Sequence, residues 1–245
     1  MIVRALITFA GVCLFWQGLV SVFEIAPYIL PGPGAVLEAL VKSPTLYAKH
    51  ALTTAIEIVL ALIIGLAAGF GTGVLIWRSA RAERWLWPLL LASQAVPVFA
   101  IAPLLVIWLG YGLASKITMA VMIVFFPVTV AVVEGLRRIG PYWPEQAKLM
   151  DAKPWPFFWL VQLPASLGTI GVGARIAAAT APIGAIVGEW VGASGGLGYL
   201  MLHANARMQI PTVFAALFCL LVFTLSLYGV VNLITRKLLF WTEER

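Results

Sequence analysis

EGLRRIGPYWPEQAKLMDAKPWPFFWLVQLPASLG, residues 134–168, is the longest polar interruption in this chain, lodged between apolar runs each long enough to cross a bilayer. Its surroundings decide how it is read. Of 245 residues, 62% are hydrophobic and 11% charged, and the mean hydropathy is +1.01. Soluble domains carry roughly 45–50% apolar and about 25% charged residues, so no soluble core of this length could hide so much apolar side chain. The charges are also clustered, which leaves runs near or above the ~18–20 residues that span ~30 Å of hydrocarbon. The sequence therefore predicts an all-α polytopic membrane protein, a single transmembrane domain over residues 1–245 with a polar loop at 136–170.

Six spans are expected, at about 5–23, 52–77, 86–109, 117–135, 171–191 and 212–235. The runs are continuously apolar rather than alternating, which excludes a barrel, and helices satisfy their own backbone hydrogen bonds in lipid. With the N-terminus cytoplasmic, that side receives twelve basic residues: Arg4, Arg78, Arg81, Arg84, Arg137, Arg138, Lys148, Lys153, Arg175, Arg236, Lys237 and Arg245. The other side receives four, Lys42, Lys49, Lys116 and Arg207. This positive-inside bias places both termini and the long loop in the cytoplasm. It also accounts for the net charge of +6 without invoking nucleic acid. The first run follows Arg4 like a signal peptide, but no good A-x-A site comes after it, so it reads as a retained helix.

Pro27, Pro31, Pro33 and Pro44, with Gly32 and Gly34, mark an extended entry into a short amphipathic segment around Ala35–Leu40. Cys13 and Cys219 lie inside apolar runs, as small hydrophobes. There is no nucleotide-binding loop, no H-E-x-x-H, no Cys/His cluster and no G-x-S-x-G. No catalytic or metal site is expected, and any energy source lies in another chain.

Within the loop, Arg137 and Arg138 suit a helix C-terminus, and Pro141 to Pro144 turn the chain. Glu145–Met150 reads as a short helix with an acidic first turn, ending before Pro154. Trp155, Phe157, Phe158 and Trp159 then read either as an interfacial aromatic anchor or as part of a partner-binding segment.

Glu145-x-Ala147, a turn at Asp151 and then Leu163-Pro164 resemble the EAA signature of the transmembrane subunits of ABC-type importers. The similarity extends to Leu30-Pro31-Gly32-Pro33, Gln94-Ala95-Val96-Pro97, Ala102-Pro103-Leu104, Arg175-Ile176-Ala177 and Gly188–Leu200. It covers nearly the whole chain and is to the nitrate, sulfonate and taurine branch, in look nearest to permeases for thiamine pyrimidine precursors. Gln146 stands at one of the signature's alanines and Asp151 at its glycine; aspartate is among the few residues that tolerate the left-handed conformation.

The resemblance implies a type I importer fold in a bacterial inner membrane. It further implies ABC ATPase subunits, which bind ATP and Mg, an extracytoplasmic solute-binding protein, a lipid surround and a homodimer. Glu145, Ala147, Asp151 and Pro164 are the residues it assigns to ATPase coupling.

Gly65, Gly69, Gly71 and Gly73, with Ala61, Ala67 and Ala68, suggest a close-packing surface, static or moving. Gly171 and Gly173, with Pro182-Ile183-Gly184, make the fifth span look breakable, as a path-lining helix would be, while Pro182 reads equally as a stable kink. Two carboxylates fall within spans, and such groups need a partner. Glu189 is expected to cap a loop near Asn205 or Arg207, while Glu57 would meet His50 or a cationic or donor-rich solute. Glu57, Pro182 and Glu189 are thus the expected translocation-path residues. An unpaired Glu57 favours an aminopyrimidine over sulfonate, taurine or nitrate. A secondary transporter would show inverted repeats or a chain of intramembrane charges. A membrane enzyme would show convergent catalytic side chains, and His50 and His203 are too sparse for that.

Overall fold

The computed structural model describes residues 2–140 and 142–239. Among them every regular element is a helix: α1 (Ile2–Val22), α2 (Pro33–Lys42), α3 (Pro44–Arg78), α4 (Ala80–Ala95), α5 (Val98–Leu109), α6 (Leu113–Arg137), α7 (Tyr142–Leu149), α8 (Pro154–Phe157), a π-helical turn at Phe158–Gln162, α9 (Leu163–Gly192), α10 (Leu197–Ala206) and α11 (Ile210–Leu238). Four helical runs are long and apolar enough to cross a membrane: Pro44–Arg78, Leu113–Arg137, Pro154–Gly192 and Ile210–Leu238. Ile7–Val22 is a shorter apolar helix.

Prolines move the helix starts. Pro33 and Pro44 occupy the first helical turns of α2 and α3, where the missing N–H costs nothing and the fixed φ favours the helix. Consequently α3 starts at Pro44 rather than near 52, and His50 lies on a helix rather than in a loop. Helix α6 likewise begins at Leu113, which brings Lys116 out of the expected loop and into the helix.

The expected third span is two helices. α4 and α5 meet at 102°, with Val96 extended at φ −94°, ψ 117°, because a residue before proline is driven out of the α region. In contrast, the fifth span is longer than expected. The helix runs from Pro154 to Gly192 without a break, absorbing the second half of the expected loop. Leu163 N donates to Phe158 O, five residues back. That wider turn falls one residue before Pro164, whose ring and missing N–H are incompatible with a regular i→i−4 bond at that position.

The expected breakability of this span is corrected as well: its glycines serve close contact. A Cβ on Gly173 would approach Pro127 O at 3.1 Å, and one on Gly184 or Gly188 would press on the backbone of Ala120 or Lys116.

Helix α6 is the centre of the bundle, packed along both α3 and α9. On α3, Gly65, Gly69 and Gly73 recur every four residues and face Val124, Val128 and Val132 of α6, which share that spacing. A Cβ on Gly69 would lie 2.8 Å from the Val128 side chain and 3.0 Å from Phe125 O. The glycines thus admit a backbone-close seam whose holes the valines fill. Gly71, Ala67 and Ala68 are exposed on another face, so the small-residue surface is two surfaces. Phe158 is buried in the main core cluster against Trp77, ring centroids 5.5 Å apart; the aromatic run is therefore partly core, with Trp155 and Trp159 exposed.

Candidate functional site

The polar segment between α6 and α9 folds as α7 plus a tight exit. No residue of α7 is buried, and Leu149 and Met150 are 81% and 79% exposed. Its C-terminus is closed by two reverse bonds: Asp151 N donates to Lys148 O at 3.1 Å and Ala152 N to Ala147 O at 2.9 Å. This is a Schellman cap with Asp151 at φ 50° in the position usually held by glycine. The sequence spacing of Ala147 and Asp151 thereby acquires a physical meaning, since the carbonyl of the first receives the bond that the left-handed turn at the second makes possible. Glu145 is exposed in the first turn, and Pro164 stands in the first turn of α9.

Beyond the far end of α9 lies a buried polar network. Glu57 is completely buried, and its Oε1 accepts from Lys116 Nζ of α6. Its Oε2 has no hydrogen-bond partner, and its carboxyl group interacts with that of Glu189. Glu57 therefore has Lys116 as a cation on its own chain rather than His50, and the argument for cargo from an unpaired carboxylate loses its premise. A charge pair withdrawn from water and held within one bundle links α3 to α6 firmly, because removing either partner strands the other.

Glu189 of α9 caps a helix, but not near Asn205 or Arg207. It accepts from Gly198 N and, at 3.3 Å, from Tyr199 N. Thr54 Oγ1 donates to Glu189 Oε1 at 2.6 Å and accepts from Leu197 N at 2.7 Å, while His50 Nδ1 accepts from Gly196 N at 3.0 Å. Four successive N–H groups at the start of α10 are thus satisfied by three side chains from α3 and α9. The α10 N-terminus leaves exactly those donors without intrahelical partners, and a carboxylate suits its positive end. Gly196 has φ 115°, and a Cβ there would collide with the Glu189 carboxyl, so glycine is required twice over.

His50, Thr54 and Glu57 share one face of α3 by helical spacing, and sequence reading missed Thr54 and Lys116. Pro182 is buried inside α9. At the opposite end, Arg137 pairs with Glu83 at 2.7 Å, tying α6 to α4, and Arg175 donates to Asn232 and Thr235 of α11 at 3.4 and 3.5 Å. Among the described residues no group of His, Cys, Asp and Glu could hold a metal.

Residues 61–240 match the family described as the binding-protein-dependent transport system inner membrane component. The chain belongs to this family. It is an ABC importer permease, a multi-pass inner-membrane protein, and both the exposed α7 and the broken α4–α5 span lie within the matched region.

The permease is 45% identical to a probable ABC transporter permease of Haemophilus influenzae, over 93% of each chain. It is 34% identical to a formylaminopyrimidine transport permease of Halalkalibacterium halodurans, covering 95% of this chain and 96% of that one. It is 36% identical to a riboflavin transport permease of Chloroflexus aurantiacus, covering 96% and 88%. Aliphatic sulfonate and taurine permeases are also relatives, which puts it in the nitrate, sulfonate and taurine branch. Its fold is that of the permease in the MetNI methionine ABC transporter, with a TM-score of 0.69 at 19% identity over 80% of this chain and 98% of that one.

Proposed function

We propose that this permease is the membrane subunit of an ATP-driven, binding-protein-dependent importer of a thiamine pyrimidine precursor, hydroxymethylpyrimidine or formylaminopyrimidine. Two copies form the path, two ATPase subunits binding ATP and Mg close beneath them, and a binding protein delivers solute on the other side. Both termini and α7 face the cytoplasm.

The observation that carries the coupling role is α7 itself: a capped helix outside the spans, with no buried residue and with Leu149 and Met150 presented to solvent. An exposed apolar face on a non-spanning helix is what a partner protein's groove buries. Glu145, Ala147, Asp151 and Pro164 shape that helix and its continuation into α9. The cargo reading draws support from the relatives, since two above 30% identity are named for formylaminopyrimidine and riboflavin, both built on planar nitrogen heterocycles. The alternative is a sulfonate, taurine or nitrate, favoured by the wider branch.

The test is reconstitution with the cognate ATPase and binding protein in liposomes, scoring uptake of hydroxymethylpyrimidine, formylaminopyrimidine, taurine and nitrate. ATP-dependent uptake of a pyrimidine is expected. Uptake of an anion alone would replace the cargo, and uptake without ATPase or ATP would refute the coupling role.

A further inference from the structure

The break between α4 and α5 falls inside an apolar run, and residues 91–97 are all exposed. The last carbonyls of α4 have no intrahelical partner, and beyond the break Ala100 N donates to Pro97 O at 2.9 Å within the first turn of α5. Irregular backbone at membrane depth persists only where protein or a water-filled cavity receives it. A half-open cavity of about 690 Å³ adjoins the break, lined by residues of α3, α4, α5 and α6, within the range of small-molecule sites.

Its chemistry is selective. Leu86, Leu90, Met122 and Phe125 supply apolar walls, Thr72, Ser93 and Gln94 supply polar groups, and among the described residues no charged side chain lines it. Ser93 Oγ donates to Leu90 O at 2.7 Å. Among the described residues Gln94 Nε2 makes only a 3.3 Å hydrogen bond, to Ser93 Oγ, and Gln94 is exposed. A carboxamide presents a donor and an acceptor in one plane and pairs bidentately with an amine beside a ring nitrogen, as Asn and Gln do with adenine. Glu57, Pro182 and Glu189 do not line this cavity.

We propose that the cavity at the α4–α5 break is a solute station on the translocation path, where Gln94 reads the hydrogen-bonding edge of a planar, uncharged nitrogen heterocycle while apolar walls hold its faces. The selectivity rests on the cargo reading above; the position of the station does not.

Two arms separate them in the reconstituted complex. In a Cys13→Ala, Cys219→Ala background, Ser93→Cys should react with a charged, membrane-impermeant thiol reagent, and formylaminopyrimidine with its binding protein and ATP should slow that reaction. Reaction only with a membrane-permeant reagent would place the cavity against lipid and overturn the station, whatever the cargo. In the second arm, Gln94→Leu should lower formylaminopyrimidine uptake about tenfold, the effect of one or two lost hydrogen bonds. Gln94→Asn should recover part of it, and ATP hydrolysis stimulated by the loaded binding protein should stay intact. Unchanged uptake, or uptake and hydrolysis falling together, would overturn the role of Gln94. Aqueous labelling in a complex that carries only taurine would keep the station and remove both the cargo reading and the selectivity.

Discussion

Replacing Lys116 by methionine tests the Glu57–Lys116 pair most directly. Glu57 is 0% exposed and Lys116 6%, so neither charge can turn to water when its partner is lost. Glu57 Oε2 has no hydrogen-bond partner among the described residues, so Lys116 Nζ is the cation on which the buried carboxyl group depends. Removing one member of a buried pair costs about 3–5 kcal/mol. With about 2–4 °C of melting shift per kcal/mol in chains of this size, Lys116→Met should lower the melting temperature by roughly 6–20 °C. Glu57→Leu should do the same. The double variant should recover most of the loss, because an apolar pair of similar volume removes the desolvation cost altogether. The assay is thermal unfolding in detergent, followed by tryptophan fluorescence and by loss of the monodisperse chromatographic peak. If the double variant melts as low as the sum of the singles, the two side chains are not an isolated pair and the reasoning fails.

Asp151→Val puts a β-branched residue at a positive φ and should cost about 1–2 kcal/mol of α7 capping; Asp151→Gly should lose nothing, with uptake per ATP hydrolysed as the readout. Gly69→Ala should destabilise by about 1–3 kcal/mol through overpacking, and adding Val128→Ala should recover only part of the melting temperature, since it removes the Cγ1 contact but leaves the Val128 Cβ at 2.8 Å and Phe125 O at 3.0 Å. Glu189→Ala removes the side-chain acceptor from the α10 N-terminus, and exchange of the Gly198 and Tyr199 amides should quicken ~10–100-fold, measured by deuterium uptake over residues 196–206. Ala147→Arg should assemble poorly with the ATPase on co-purification, whereas full assembly with full activity would count against docking through α7.

Four of the six expected spans were legible as single crossing helices because length and hydropathy are properties of composition, which folding does not rearrange; the first is a shorter apolar helix and the third a bent pair. Their ends were less so: Pro44 reads as punctuation until it is seen to open a helix. The break at Val96-Pro97 hides inside a run that stays apolar on both sides, and an average over the run passes straight across it. Asp151 is readable because its left-handed turn depends on local backbone preference alone. Lys116 is the opposite case. A cation at the edge of a span looks like a topology marker, and nothing in chain order says that it lies beside a glutamate fifty-nine residues earlier. Glu189 invites the idea of a cap, but which helix end it caps depends on how the chain folds back after Gly195.

The unbroken run from Pro154 to Gly192 is, in mechanical terms, a lever arm. At 1.5 Å per residue, its 39 residues reach about 58 Å, from the exit of α7 to the turn that carries Glu189. If it tilts as a rod by about five degrees, its far end travels about 5 Å, roughly one helical turn. The α10 N-terminus, gripped by Glu189 on the moving rod and by His50 and Thr54 on α3, would then have to follow one anchor or release the other.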